Sequence, residues 1–493
     1  MTTALLASAP EVLLASDTSR VASAVRQAIA KHRPKSTNIA VQVAALPASP
    51  GDRVSSETLF TLDAESPFIP ASNLKLLTSA AALDVLGPDF RFRTRLAVRD
   101  RGDGSFDVAV VGDGDPTFGD ADLLRGIDGW GTRTVFKTWA DVLAKAGVSR
   151  IAELHLDATI FDDEVRHPNW PENQRHRWYE AQVGGLNLNI NCVDVYLTRS
   201  SNGRSMLARL DPPTQYVDVT NTCKVGKDNA VQLTRKPGTN DVILGGETNA
   251  KSQGPMKVTV NDPTMYFGTV LAETLRNEGI LVGDVMADTT VRAEPASWKV
   301  LAIHETPLST VLARTNKDSI NLYAEALSKR LANHITGKPG SWDDAERLIK
   351  EYADANGANV EGVVLDDGSG MSRLNRVSAG LLVDVLAAQY NGDDFETYKA
   401  GLSEAGVDGT LERRFRTRDR DDLHGRVFGK TGYINGVSTM SGYLHAVDGN
   451  WYAFSVLVNE CRSDRIWQAK LLQEEVVLAV DRSVKAREPA LGG

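Results

Sequence analysis

The 493-residue sequence predicts an α/β (α+β) domain, an antiparallel sheet flanked by helices, interrupted by a β-rich insertion. Three observations carry this. Helical apolar spacing and short strands occur near the N-terminus and return from about residue 306. Between about 90 and 295, short alternating segments are separated by turn-rich pieces such as Asp211-Pro212-Pro213 and Lys236-Pro237-Gly238. The N-terminal elements are too few to close a core alone, so they complete the sheet of the C-terminal part.

Taken in order, Val21, Val25 and Ile29 recur at helical spacing over residues 18–32. Alternation over Asn38–Leu46 and Leu59–Leu62 gives two strands. A helix begins near Ser72, carries Leu74, Leu77 and Ala81, and stops at Gly87-Pro88. Phe90–Val98 and Phe106–Val111 alternate as strands. Farther on, Pro307–Thr315, Ile320–Ile335, Trp342–Ala355, Ala379–Gln389 and Ile466–Val484 read as helices. Val363–Leu365, Gly436–Ala446 and Trp451–Val458 read as strands, the last two facing each other across Asp448-Gly449.

Composition narrows the function. Lys plus Arg is 55 against 64 Asp plus Glu, a net charge of −9, so no basic face for nucleic acid is expected. Cys192, Cys223 and Cys461 form neither a disulfide framework nor a zinc spacing, and three buried thiols are expected, with a Cys192–Cys223 pair left open. Residues 4–16 are mostly apolar, but no basic residue precedes Arg20 and Pro10-Glu11 interrupts the run, so no intact signal peptide is visible. No apolar stretch of 18 residues spans a bilayer.

Three motifs carry chemistry. Ser72-Asn73-Leu74-Lys75 puts a hydroxyl and an amine one turn apart on one helix face. A neutral lysine there can take the serine proton, which needs its pKa drawn from about 10.4 towards roughly 7–8. Lys430 is the candidate second cation, and the Ser72 N–H at a helix start is a candidate oxyanion donor. Ser319-Ile320-Asn321 reads as a turn between helices, its hydroxyl placed to relay a proton and its amide to hold Lys75 and substrate. Lys430-Thr431-Gly432 ends the apolar strand Val427-Phe428; Thr431 and Lys430 suit a carboxylate, Gly432 lets a substrate strand approach, and the Tyr433 N–H is the second oxyanion donor. Ser-x-x-Lys is expected about once or twice by chance in a chain of this length. It occurs once, and by itself it reads as a helix cap with an exposed lysine. Order and setting make the three one site. Serine enzymes that open the D-Ala-D-Ala amide or a β-lactam use such a set.

Competing motifs fail. Gly425-Arg426-Val427-Phe428-Gly429-Lys430-Thr431 is one residue short of a phosphate loop, and His304-Glu305 lacks the second histidine of a zinc helix. The acidic run from Asp113 to Asp122 and Asp162-Asp163-Glu164 read as solvated turns, with metal loops as the alternative. No metal or cofactor is expected.

The chain resembles the low-molecular-mass class C penicillin-binding proteins of the S13 peptidase group, the penicillin-binding protein 4 type. Besides the three motifs, the resemblance rests on Gly114-Asp115-Pro116-Thr117, the run from Asp366 to Arg373, Gly406-Val407-Asp408-Gly409-Thr410-Leu411, Gly436-Val437-Ser438 and Ser441-Gly442-Tyr443. The interval of 247 residues from Ser72 to Ser319 suits a family that inserts two domains there. The resemblance implies a catalytic domain of residues 18–89 and 296–493, an insertion domain over 90–185 and 266–295, and a further one over 186–265. It implies a periplasmic or extracytoplasmic carboxypeptidase/endopeptidase acting on peptidoglycan stem peptides through acyl-Ser72, with β-lactams as inhibitors and a homo-oligomer left open. It carries over Ser72, Lys75, Ser319, Asn321, Lys430 and Thr431 as site residues. Tyr433 departs from the family's usual Ser or Thr, and Glu180, after Trp178-Tyr179, is the candidate acceptor of a diaminopimelate amine, a surface glutamate being the alternative. Two other functions remain open, a β-lactamase or esterase on the same fold and a catalytically silent wall-binding protein. The missing Glu-x-x-Leu-Asn motif speaks against a class A β-lactamase, and the three intact motifs against a silent protein.

Overall fold

The computed structural model describes residues 10–52, 55–292, 294–416 and 423–484. The chain folds into two compact units: one takes the chain up to Asp84, Leu312–Ser319 and the part from Glu346 on; the other takes Val85–Val311 and Ile320–Ala345.

The first unit is built on a six-stranded antiparallel sheet. Its order is Ser403–Glu404, Val427–Ile434, Val437–His445, Trp451–Asn459, Asn38–Ala45, Glu57–Leu62. N-terminal strands thus complete a C-terminal sheet, with Val41 opposite Val456. One face packs under the helices Pro10–His32 and Ile466–Ser483: Val25, Ile29, Leu472 and Val476 share a core with Val41, Val43, Met440 and Phe454. The other face carries the helix Ala379–Asn391, where the Tyr443 hydroxyl donates to the Leu386 carbonyl at 2.7 Å. Coverage on both faces buries Val437 to Leu444 without a break, hence a run that does not alternate in hydrophobicity.

The second unit holds a five-stranded mixed sheet, ordered Leu281–Ala287, Arg150–Asp157, Phe106–Val111, Arg91–Asp100, Lys299–Pro307. Its first two pairings are parallel. The helices Thr134–Lys145 and Pro263–Asn277 supply the aromatic cluster of Phe136, Trp139 and Phe267, closed by Phe118. Short strands from Cys192 to Thr259 extend the same core.

The β-rich region 90–295 also contains two long helices, and Pro263–Asn277 starts with Asp262 accepting the Met265 N–H and proline in the first turn. One reading of the sequence is corrected: Val363–Leu365 forms no strand, and Val364 makes an isolated bridge to Arg376.

The helices at 308–316, 321–336, 342–355, 379–391 and 466–483 follow the expected spacing within two residues at each end. Cys192, Cys223 and Cys461 are all free and buried. Dithiothreitol should therefore leave the Tm unchanged in thermal denaturation; a fall in Tm on reduction would contradict free thiols.

Candidate active site

Ser72 sits in a 3₁₀ turn, Ala71–Asn73, that runs into the helix Leu74–Leu86. Ala71 has φ +46°, a conformation that costs a non-glycine residue about 1–3 kcal/mol and persists only where its surroundings enforce it. Here they do. The Thr439 hydroxyl donates to the Pro70 carbonyl at 2.8 Å. Asn73 Nδ2 donates to Ser441 Oγ at 2.7 Å, and Ser441 in turn to Ser455. The turn is fastened by buried polar bonds to one strand of the sheet, Val437–His445, and through Ser441 to the next, Trp451–Asn459.

The third motif lies alongside. The strand Val427–Ile434 continues through Lys430-Thr431-Gly432 rather than ending there, which corrects the sequence reading. A Cβ on Gly432 would lie 2.1 Å from Thr439 Oγ1, 2.8 Å from the Pro70 carbonyl oxygen and 3.0 Å from the Ser72 nitrogen. This glycine is required because the serine turn itself packs on it. Ser403–Glu404 pairs only with Gly429 and Phe428, so the outer edge beyond Lys430 has no strand partner among the described residues.

Lys75 is fully buried. Its Nζ lies 3.0 Å from Ser72 Oγ and 2.7 Å from the Ser369 carbonyl oxygen. Lys430, also fully buried, donates from Nζ to Ser319 Oγ at 2.8 Å and to its neighbour's carbonyl, Thr431 O, at 2.7 Å. Burial pushes the Lys430 ammonium well below the usual lysine range; the charge of Lys75 pushes the same way, and Asp318 opposes both. Two buried amines that repel each other favour a state in which one is neutral.

Ser319 is held at φ +60°. The segment before it is pinned by Asn316 Nδ2 to Ser79 Oγ at 3.1 Å and by the Thr410 N–H to the Lys317 carbonyl at 3.0 Å. Lys317 also pairs with Asp408. The Gly406–Leu411 motif thus acts as a brace for the second motif.

Sequence reasoning gave no role in the site to Asn73, Ser441, Asp318 or the Ser369 carbonyl. Serine and asparagine are too common to signal a contact, and a backbone carbonyl has no signature at all.

In the second unit, Asn321 opens the helix Asn321–Thr336 and donates from Nδ2 to the Tyr179 carbonyl at 2.8 Å. Glu180 is not a surface residue. It is 1% exposed, Arg166 lies 3.3 Å from Oε2, and Oε1 has no hydrogen-bond partner among the described residues. Burial raises its carboxyl to about 7, against the pull of Arg166. Tyr433 is 57% exposed.

Residues 25–476 match the D-Ala-D-Ala carboxypeptidase 3 (S13) family. The chain belongs to that family. It is 32% identical over 433 residues to a D-alanyl-D-alanine carboxypeptidase of Actinomadura sp., covering 83% of this chain and 76% of the relative. Among solved structures, penicillin-binding protein 4 of Haemophilus influenzae superposes with a TM-score of 0.74 at 23% identity, over 94% of this chain and 99% of that one. The same protein complexed with a β-lactam gives 0.70 at 23% identity, over 92% and 98%. The fold is the one these share, and the chain is a serine-type D-Ala-D-Ala carboxypeptidase.

A buried lysine whose pKa is lowered on folding costs stability at every pH below its unfolded value, about 10.4, because the unfolded chain binds the proton more readily. The cost grows as pH falls towards the depressed value. Lys430→Met should therefore raise the Tm at pH 7 while abolishing release of D-Ala from a pentapeptide. A lowered Tm would show that the ammonium is a net stabiliser.

Proposed function

We propose that the carboxypeptidase works through an acyl-Ser72 intermediate. The observation that carries this is the pair of contacts Lys75 Nζ to Ser72 Oγ, 3.0 Å, and Lys430 Nζ to Ser319 Oγ, 2.8 Å. Lys75 in its neutral form takes the Ser72 proton, and Oγ attacks the carbonyl of the penultimate D-Ala. The N–H groups of Ser72 and Tyr433 receive the oxyanion. As the C–N bond breaks, Ser319 gives its proton to the leaving amine and takes one from the Lys430 ammonium that donates to it, so that Lys75 ends charged and Lys430 neutral. Water then cleaves the ester with the same groups reversed. Thr431, on the strand edge, holds the terminal carboxylate, and Gly432 keeps the strand close to the nucleophile. Asn321 is assigned to the substrate amide by its place in the second motif.

The substrate is read as a peptidoglycan stem peptide lying as an added strand along Lys430–Ile434. Cleavage of cross-links between stems belongs to the same proposal, with Glu180 Oε1 receiving a diamino-acid amine. So does acylation by penicillins, supported by the β-lactam complex of the Haemophilus influenzae protein. An extracytoplasmic site of action follows from that substrate. No described helix is long and apolar enough to cross a membrane. The three-part division of the chain, residues 18–89 with 296–493, 90–185 with 266–295, and 186–265, is retained as a proposal.

Ser72→Ala should abolish labelling by a fluorescent penicillin while leaving the Tm near that of the parent; labelling that persists overturns the nucleophile. Lys75→Ala should slow acylation by about 10²–10⁴-fold, the ordinary worth of a positioned base. A long-lived acyl-enzyme in stopped flow marks a peptidase, rapid turnover a β-lactamase. Tyr433 offers a phenol where a short hydroxyl would sit beside Thr431. Tyr433→Thr should lower KM for D-Ala release from a pentapeptide with little change in kcat; an unchanged KM would show that Thr431 alone sets carboxylate binding.

A further inference from the structure

We propose that Asp367 is a positioning residue for acylation, acting through the Ser369 carbonyl on Lys75. The inference rests on the reading of Ser72 and Lys75 as nucleophile and base. Asp367 is 2% exposed and organises the loop after it: Oδ1 accepts the Gly370 N–H at 2.7 Å and Asn375 Nδ2 at 2.9 Å, and Oδ2 accepts the Ser372 N–H at 2.7 Å. The loop so formed aims two successive carbonyls at one face of the helix Leu74–Leu86. Gly368 O accepts from Thr78 Oγ1 at 2.7 Å, and Ser369 O accepts from Lys75 Nζ at 2.7 Å. Lys75 and Thr78 are three residues apart, so both acceptors meet the same helical face. Gly370 adopts φ +80°, and a Cβ there would lie 1.9 Å from the Ala71 carbonyl oxygen. The loop is therefore seated directly against the residue that precedes the nucleophile.

The chemistry follows from counting donors. A neutral lysine amine has two N–H groups and one lone pair. Rotation about its last C–N bond decides which of them faces Ser72. With one N–H committed to Ser369 O, rotation is restricted and the lone pair is available in the direction of Ser72 Oγ, 3.0 Å away. The same carbonyl favours the ammonium form, because it accepts from a charged donor. Among the charged groups of this unit, Lys430 and Lys75 repel each other, which disfavours both ammonium forms, and Asp318 favours that of Lys430. The loop thus does two things at once: it directs the base and it sets the pH at which the base becomes neutral.

Asp367→Asn keeps the shape but turns one acceptor towards an N–H. The expected result, read by stopped-flow acylation with a penicillin over a pH series, is a plateau rate lower by at least about tenfold, a part of what a positioned base supplies. The acid limb of the profile should also move to lower pH, since the ammonium loses its acceptor. Thr78→Val, which loosens the same loop and leaves the carboxylate in place, should move the limb in the same direction and serves alone if Asp367→Asn does not fold. A lower plateau with an unmoved limb in both variants overturns the inference, because a purely structural defect reduces rate without changing the base. If the parent enzyme is not labelled, or Ser72→Ala is labelled, it is the acyl-enzyme reading that has failed; Ser72-dependent acylation with an unmoved limb is the failure of this inference alone.

Discussion

The site depends on one close approach, that of the Pro70–Ser72 turn to the strand at Gly432. A single methyl group there would meet Thr439, Pro70 and Ser72 at 2.1–3.0 Å. No side chain beyond hydrogen fits, so the backbone of Ser72, the proposed nucleophile, lies directly beside the strand Val427–Ile434. Close approach is also what aligns backbone donors from two elements far apart in sequence, the N–H groups of a turn and of a strand edge. On the other flank Gly370 repeats the arrangement against Ala71. The strained residue before Ser72 is thus held between two glycines, and its unfavourable φ is enforced by surroundings that leave no room for relaxation.

Given that geometry, burial supplies the chemistry. Lys75 and Lys430 are each fully covered and each hydrogen-bonded to a hydroxyl. In water neither amine would be a base at neutral pH. Inside, desolvation and mutual repulsion act together on Lys430, with only Asp318 opposing. The arrangement spends folding stability on reactivity, and the sheet core, with Val41, Met440 and Val456 sealed under two helices, is what tolerates it.

Much of this was legible in the sequence, for identifiable reasons. The helices at 321–336, 342–355, 379–391 and 466–483 have apolar spacing that no competing period disturbs. The hairpin at Asp448-Gly449 was signalled by its turn, where Gly449 has φ +80°. Ser72, Lys75, Ser319 and Lys430 were singled out because each proposed step needs a particular side chain at a particular spacing, and the structure brings Lys75 to Ser72 and Lys430 to Ser319. What escaped was of another kind. The helices Thr134–Lys145 and Pro263–Asn277 were lost among short strands, although Asp262-Pro263 is a recognisable helix start. The surface alternative for Glu180 stood open in the sequence because nothing local announces that Arg166, fourteen residues earlier, lies against it. The role of Gly432 was assigned to an incoming substrate, when its own chain already occupies the space.

The omissions share a cause that bears on how such a site tolerates change. Side chains carry the reaction, but backbone atoms hold the side chains: the Ser369 carbonyl on Lys75, the Thr431 carbonyl on Lys430, the Tyr179 carbonyl on Asn321, the Lys317 carbonyl under Thr410. A backbone carbonyl is present whatever residue bears it, so these contacts constrain conformation and not identity. The constraint surfaces in the sequence only where a conformation demands a special residue, as at Gly370 and Gly409, or where a side chain must shape the loop, as at Asp367 and Asp408. The motifs flanking the catalytic ones are therefore records of backbone geometry. The Asp366–Arg373 run is recognisable for that reason, although the Ser369 carbonyl oxygen that it brings to Lys75 is chemically anonymous.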